Sequence, residues 1–299
     1  MKIYMYKRIL VPLDGSEIAK QVFPYVVQLA RAFNSEVVLI QVCEPEESEY
    51  REACQLYINS EAEQLKTGLV SSSASVKAIV LEGKADEQIL NYTKKNDINL
   101  IVMSSHGRSG IAPWSLGGTV TRVLQKTGVP LILVRARESL EELDVGKLFR
   151  RILVPLDGSD RSAQAVPYVV ELTKRLESEV ILLQVVEVGR HVHTLGGLTY
   201  IRFEDRDMES MRVRAREYLD SLSSKFAVTK AEVSSEVRTA DDAAREIMRL
   251  ATEADASLIA LSSHGHSGIV AWFQGSVTYK ILQASKQPVM LVPSLDMRR

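Results

Sequence analysis

Two glycine-rich stretches of the chain carry the residues best suited to bind an anion. The stretch SSHGRSGIAPWSLGG at Ser104–Gly118 returns as SSHGHSGIVAWFQGS at Ser262–Ser276, with nine of fifteen positions identical. Glycine lets a backbone approach a ligand closely. Gly117 and Gly275 also precede helical patterns, whose first N–H groups favour anions. A phosphate chain is the ligand that suits this arrangement.

The two loops differ from the common phosphate-binding motifs. No Walker lysine follows the glycines, and neither stretch contains an Asp or Glu to hold magnesium, which disfavours a P-loop hydrolase. The glycine spacing also differs from the dinucleotide-binding GxGxxG pattern. His106 and His264 could position a phosphate or act as bases, but no nucleophile with an orienting acid is evident near them. We therefore expect binding rather than efficient catalysis, and no metal site.

A second duplicated stretch, RILVPLDGS, occurs at Arg8–Ser16 and again, letter for letter, at Arg151–Ser159. Its carboxylate, Asp14 in one copy and Asp157 in the other, can accept hydrogen bonds from ribose or adenine groups. The same aspartate could instead form an Asx turn at the start of the next helix, because DGS is a common turn sequence. The residues alone leave both roles open.

Both motifs belong to one plan that the chain repeats. The offset between the copies is 143 residues at first and 158 after the second strand, because the segment Arg190–Asp207 lies in a longer part of the second half. Short runs of Val, Ile and Leu alternate with helical patterns, which is typical of parallel sheets with crossover helices. The predicted first-half strands are Arg8–Leu13, Glu36–Cys43, Ser75–Glu82, Asn99–Ser104 and Pro130–Arg135.

The predicted fold is α/β, with two tandem Rossmann-like domains at 1–137 and 150–299 and a charged linker at 138–149. Each domain is expected to be a five-stranded parallel sheet in the order 3-2-1-4-5, with helices on both faces. In that order the winding reverses between strands 1 and 4, so the PLDGS and SSHG loops should face each other across one crevice. The fifth strands, PLILV and PVMLV, are apolar edges that could pair with each other.

Composition excludes some partners. There are 37 Lys and Arg residues against 38 Asp and Glu, a net charge of −1, which disfavours binding to nucleic acid or an anionic membrane. We see no secretion-signal pattern and no apolar run of membrane length, and we expect a cytoplasmic protein with reduced thiols. Cys43 and Cys54 fit neither a zinc knuckle nor a CxxC redox pair, and Cys43 is expected to be a buried small side chain.

The chain resembles tandem members of the universal stress protein family over nearly the whole of both halves. The family motif is G-x-x-G-x9-G-(S/T). Both copies have serine at its first glycine, and Gly118 occupies a hydroxyl position for which Thr119 could substitute. The second copy is the closer match, and nucleotide occupancy of the first half is left open. The motif positions are Ser104, Gly107, Gly117 and Gly118, and then Ser262, Gly265, Gly275 and Ser276.

This resemblance implies an adenine-nucleotide alpha-hydrolase-like fold that binds ATP or another adenine nucleotide, with or without Mg²⁺. It also implies a stress-responsive nucleotide sensor or regulator that is at most a slow ATPase. Strand 1 would contact the nucleoside, the end of strand 2 would line the adenine pocket, and the glycine loop would hold phosphates. The implied binding residues are Pro12, Leu13, Asp14, Val42, Ser104, His106, Gly107, Gly117, Gly118 and Thr119, and then Pro155, Leu156, Asp157, Val185, Ser262, His264, Gly265, Gly275, Ser276 and Val277.

The departures from the motif also motivate a function of a different class, a dimeric scaffold that binds no nucleotide and recruits a protein partner. In either case the tandem chain would mimic a dimer of single domains, and it could dimerise again. His191 and His193 lack a third metal ligand at a recognisable spacing, so we expect a polar surface loop there. Trp114 and Trp272 are expected to pack against neighbouring elements rather than stack on a base.

Overall fold

The computed structural model describes residues 5–43, 50–70, 72–107, 116–136, 144–194, 197–263 and 277–294. Strands and helices alternate within each half of this part of the chain, apart from three successive strands in the second half. The elements in order are β1 Arg8–Leu13, α1 Phe23–Phe33, β2 Glu36–Cys43, α2 Arg51–Thr67, β3 Ser75–Glu82, α3 Ala85–Lys95, β4 Leu100–Ser104, α4 Gly118–Lys126, β5 Leu131–Val134, β6 Arg151–Leu156, α5 Val166–Thr173, β7 Glu179–Glu187, β8 Gly189–Thr194, β9 Gly197–Arg202, α6 Asp205–Ser223, β10 Val233–Ala240, α7 Ala243–Glu253, β11 Leu258–Ser262, α8 Val277–Ala284 and β12 Val289–Val292.

The chain divides into two compact units. The first contains Met1–Leu148 with Lys286–Arg299, and the second contains Phe149–Ser285. In the first unit the strand order is β12-β5-β4-β1-β2-β3, and in the second it is β10-β7-β6-β11. All strand pairs in these two series are parallel except β5 with β12. The predicted α/β class is confirmed, as is the order 3-2-1-4-5 in the first half.

The predicted pairing of the two fifth strands is confirmed within the first unit. Leu133 lies opposite Val289, and Leu131 lies opposite Leu291, in an antiparallel ladder. Every residue of β5 and β12 is buried. Because this ladder occupies one side of β5, the apolar edge that PLILV would otherwise expose is covered.

Burial follows the position of each strand in its sheet. All five residues of the inner strand β4 are buried, whereas exposed and partly buried residues make up most of the outer strand β3. A parallel sheet with helices on both faces requires continuous apolar strands at its centre. The predicted fourth strand begins one residue too early, and the predicted fifth strand is one residue too long at each end. Just before β4, Asn99 Oδ1 accepts a hydrogen bond from the Arg8 N–H at 2.9 Å.

The helix α1 shows how local sequence sets where a helix begins, which face it buries and where it ends. Pro24 lies in its first turn, where the missing N–H of proline leaves no helical hydrogen bond unmade. Tyr25, Val26 and Leu29 lie on its buried face. The helix ends at Asn34, whose φ of 50° is left-handed, a conformation that asparagine adopts more readily than most residues.

Unusual backbone conformations repeat with the duplication. Tyr6 and Phe149 have φ values of 63° and 59°, and both aromatic side chains are buried two residues before the first strand of their half. Asp97 and Asp255 have φ values of 48° and 49° before β4 and β11. These pairs keep the offsets of 143 and 158 residues found in the sequence, so the two halves fold by the same local rules.

Two expectations need correction. The segment expected to be a polar surface loop forms an antiparallel hairpin, in which His191 lies opposite Tyr200 and β8 pairs with β9. The thiols expected to be reduced are paired instead, because the structure joins Cys43 and Cys54 in a disulfide between the end of β2 and α2. Both cysteines are buried, as expected for Cys43. The pairing depends on where α2 crosses the end of β2, which the spacing in the sequence does not reveal.

Candidate functional site

The PLDGS and SSHG loops of the first half meet at one edge of the sheet. Ile9 of β1 pairs with Leu100 of β4, so these neighbouring parallel strands end together. Beyond their ends, the Asp14 carboxylate lies so close to Gly107 that a Cβ on Gly107 would be 1.7 Å from Oδ2. The predicted crevice between strands 1 and 4 is therefore present, and glycine is the residue that permits this approach.

Asp14 makes the Asx turn that the sequence left open. Its Oδ1 accepts hydrogen bonds from the Ser16 N–H at 3.0 Å and from the Ser16 hydroxyl at 2.6 Å. The Ser16 Oγ in turn accepts from the Ala19 N–H at 3.1 Å, where the first helical turn begins. Gly15, with φ of 86°, supplies the left-handed conformation between them. One carboxylate oxygen thus fixes the loop while the other faces Gly107, so the turn does not exclude a ligand contact.

A cavity of about 340 Å³ lies where these loops converge. All ten binding residues implied for the first half line it. Six further lining residues were not implied by the resemblance, and they come from the first helical turn, β2, α3, β4 and α4. The cavity is lined by Pro12, Leu13, Asp14, Val42, Ser104, His106, Gly107, Gly117, Gly118 and Thr119, together with Ala19, Ile40, Ala85, Ile89, Met103 and Val120.

The cavity combines an apolar wall with polar groups. Ile40, Val42 and Met103 present aliphatic or thioether side chains to it, which suit the face of a flat ring. The first N–H groups of α4 have no partner within the helix, and no side chain in the described part of the chain caps this end. Those N–H groups favour negative charge. The site can therefore hold a molecule with an apolar ring at one end and an anion at the other.

A pair of charged side chains borders the start of α4. The Arg122 Nε lies 3.0 Å from Oδ1 of the buried carboxylate of Asp86, and its Nη1 would be 3.3 Å from a Cβ on Gly118. The Lys280 Nζ at the equivalent position of α8 lies 2.7 Å from Asp242 Oδ2. Each half thus places a cation one turn into this helix and balances it with a carboxylate from the N-terminal end of the preceding helix.

His106 is held as a neutral side chain at the edge of the cavity. Its Nδ1 lies 3.0 Å from the Ser105 hydroxyl, whose oxygen accepts from the Ala136 N–H at 3.0 Å. If the Ser105 hydroxyl donates to Nδ1, the ring proton is on Nε2, which makes that atom a donor. Burial, and then the positive charge of Arg135, lower the pKa of His106 below its ordinary value. In that tautomer the Nδ1 lone pair is already engaged by the Ser105 hydroxyl, which suits positioning better than general-base catalysis.

A proton NMR titration should show this shift directly. We expect His106 to titrate below its ordinary pKa of about 6.5, and Arg135→Gln to raise its pKa. Because the unfolded chain takes up this proton at a higher pH than the folded chain, His106 should reduce folding stability as pH falls below about 6.5. His106→Asn identifies the resonance. A titration at or above the ordinary value would contradict the buried, neutral ring.

The described part of the second half repeats the first loop. Asp157 Oδ1 accepts from the Ser159 N–H at 2.9 Å and from its hydroxyl at 2.6 Å, and Gly158 has φ of 85°. The Tyr218 hydroxyl of α6 also donates to the Ser159 carbonyl oxygen at 3.0 Å. Pro155 and Leu156 lie in β6, Val185 lies in β7, Ser262 ends β11, and Val277 begins α8. The remaining implied residues, His264, Gly265, Gly275 and Ser276, lie outside the described residues.

Other sequence candidates are not part of the described site. Trp114 and Trp272 lie outside the described residues, and His191 and His193 are described only as backbone of β8. Among described residues, no group of three or more His, Cys, Asp and Glu side chains is placed to hold a metal ion. None of the helices described is both long enough and apolar enough to cross a membrane.

These features define a doubly wound α/β protein with a ligand-sized cavity at the reversal point of its first sheet. The model of the universal stress protein family matches residues 5–135 and 148–293, so the chain belongs to that family.

Individual relatives agree with this assignment. The universal stress protein YxiE of Bacillus subtilis is 32% identical over 151 residues, which is 48% of this chain and 99% of that protein. A crystal structure of a universal stress protein from Archaeoglobus fulgidus has a TM-score of 0.68 at 19% identity and covers 96% of this chain and 98% of its own. The crystal structure of a functionally unknown protein from Pseudomonas aeruginosa has a TM-score of 0.69 at 12% identity, and the match covers 98% of this chain and 94% of that one. At these identities the two structures support the fold alone.

Proposed function

We propose that the chain binds ATP or a related adenine nucleotide in both halves, and that it acts as a stress-responsive nucleotide sensor or regulator. The observation that carries the proposal is the cavity in which all ten implied first-half residues meet. Its volume of about 340 Å³ lies in the range of small-molecule sites. Efficient catalysis is not part of the proposal, and a cytoplasmic location remains a prediction.

The residues lining the cavity can be assigned to parts of the nucleotide. Ile40 and Val42 would lie against the adenine ring, and Asp14 would accept hydrogen bonds from the ribose or adenine. The N-terminus of α4 would receive the phosphates. Asp14 is the one carboxylate among the described lining residues, and its Oδ1 already binds Ser16. Any Mg²⁺ would therefore be held mainly by phosphate oxygens and water.

The alternative function, a scaffold without nucleotide, predicts a cleft filled by side chains. An open cavity, beside a helix end that no described side chain caps, favours the nucleotide-binding function instead. The fifth-strand edge that a dimeric scaffold could have used is already paired, since β5 binds β12 in the first unit. A homodimer of the tandem chain would have to use another surface.

Calorimetry with ATP, ADP, AMP and adenosine tests the proposal, together with mass spectrometry of ligand released from the native protein. We expect micromolar binding of an adenine nucleotide and two sites per chain. Asp157→Ala combined with Gly275→Val should leave one site, because the changes remove a carboxylate and fill the glycine loop of the second half. If neither binding heat nor released nucleotide is detected for the wild type, the proposal fails and the scaffold becomes the better explanation.

A further inference from the structure

Two buried serine hydroxyls lack hydrogen-bond partners at equivalent places in the two halves. Ser104 ends β4 and Ser262 ends β11, and the residues are 5% and 6% exposed. The Oγ of each is shielded from solvent and has no hydrogen-bond partner within the described part of the chain. These are the residues that replace the first glycine of the family motif in both copies.

An unsatisfied buried hydroxyl is unfavourable because it gives up hydrogen bonds to water without replacement. Alanine at the end of β4 would fill nearly the same space without that penalty. A serine side chain exchanges among three staggered rotamers, and a bound group that accepts a hydrogen bond would select one of them. What sets Ser104 and Ser262 apart from other buried hydroxyls is that both end the strand before the glycine loop, and Ser104 lines the cavity. At that place an orphan hydroxyl indicates a partner that binds from outside the protein.

The surroundings of Ser104 define what that partner must be. Ser104 lines the cavity together with Asp14, Gly107 and the start of α4. The carbonyl oxygen of the next residue, Ser105, accepts from the Gly117 N–H at 3.0 Å, so the end of β4 is held against the helix N-terminus. Asp14 provides acceptors and α4 provides donors. A group held beside the α4 donors is an anionic oxygen, to which a serine hydroxyl donates well.

We propose that the Ser104 and Ser262 hydroxyls donate to the phosphate nearest the nucleoside, a contact that a glycine at this position cannot make. This inference rests on the proposed nucleotide binding. In the ligand-free chain the hydroxyl makes no hydrogen bond to any described residue. In the complex it donates a hydrogen bond to the phosphate, and this contact determines the preference for a nucleotide over a nucleoside.

The test compares the double variant Ser104→Ala/Ser262→Ala with the wild type for ATP, AMP and adenosine. We expect about tenfold weaker binding of ATP and AMP and no change for adenosine, measured by competition. Ser104→Gly/Ser262→Gly should lose the same amount of affinity for ATP and AMP, because the hydroxyl rather than the Cβ makes the contact. The ligand-free melting temperature of the alanine variant should equal or exceed that of the wild type.

Ser178→Ala is the matched control. Ser178 is 3% exposed, its Oγ also lacks a partner in the described part of the chain, and it precedes the amino end of β7, opposite the ligand edge. This variant should bind all three ligands as the wild type does. Unchanged ATP and AMP affinity in Ser104→Ala/Ser262→Ala, or an equal loss for adenosine, would overturn the phosphate contact while leaving nucleotide binding intact. Failure of the wild type to bind any nucleotide would reject both proposals.

Discussion

Gly107→Ala is expected to weaken nucleotide binding in the first half strongly and to destabilise the fold around it. The added Cβ would lie 1.7 Å from Asp14 Oδ2 and 2.7 Å from its Cγ. The carboxylate cannot simply turn away, because Oδ1 is bound by the backbone and hydroxyl of Ser16. We expect nucleotide binding about 100-fold weaker and a loss of about 1–3 kcal/mol in the free energy of unfolding.

The measurement is made in the Asp157→Ala/Gly275→Val background, so that calorimetry reports the first site alone. Chemical denaturation gives the free energy of unfolding. Gly118→Ala serves as the control for stability alone, because its Cβ would meet the Arg122 Nη1 at 3.3 Å, the end of a flexible side chain. Alanine also has a higher helix propensity than glycine, so this variant should fold at least as stably as its parent. Wild-type binding and stability in Gly107→Ala would show that the two loops are not in contact.

A double variant separates the steric clash from the loss of a ligand contact. In Asp14→Ala/Gly107→Ala the carboxylate that would collide with the new methyl group is gone. We expect this double variant to be more stable than the sum of the two single changes predicts, since contacting residues couple. Binding should remain as weak as in either single variant. Additive losses of stability would mean that Gly107→Ala acts through something other than Asp14.

The sequence predicts the first-half sheet and the meeting of its two loops for physical reasons. Apolar runs such as RILVPL and EVVLIQVC can only be buried strands in this pattern, and three of the five predicted first-half strands match the observed bounds. The reversal between β1 and β4 then brings Asp14 and Gly107 together with no further information. Local sequence is sufficient because parallel strands share the edge at which their loops emerge.

Other features depend on tertiary placement. Ala85 and Ile89 reach the cavity because α3 begins directly beside the end of β3, and the sequence gives the helix but not which turn faces the crevice. The Cys43–Cys54 pairing likewise depends on how α2 crosses the sheet. The sequence contained a signal for the hairpin of β8 and β9, because a glycine pair such as GG at 196–197 often marks a hairpin turn. The observed ladder places Gly197 in β9, opposite Thr194.

Asp14→Asn is expected to weaken nucleotide binding in the first half by about 10–100-fold while leaving the fold nearly as stable as the wild type. An asparagine oxygen can still accept the hydrogen bonds from the Ser16 N–H and hydroxyl, so the Asx turn should persist. What changes is the second oxygen, which becomes an amide donor and loses its charge. Calorimetry in the Asp157→Ala/Gly275→Val background measures the affinity.

Asp14→Ala should weaken binding by a similar factor and also lower the free energy of unfolding by about 1 kcal/mol, because Ser16 loses its acceptor. The comparison decides between the two roles of the carboxylate. If asparagine binds nucleotide as aspartate does, Asp14 serves the turn alone and the nucleoside contact is wrong. Asp157 makes the same two bonds to Ser159, so Asp157→Asn in a chain whose first site is blocked should repeat the result in the second half. A loss in one half only would mean that the duplicated loop is shared while the ligand contact is not.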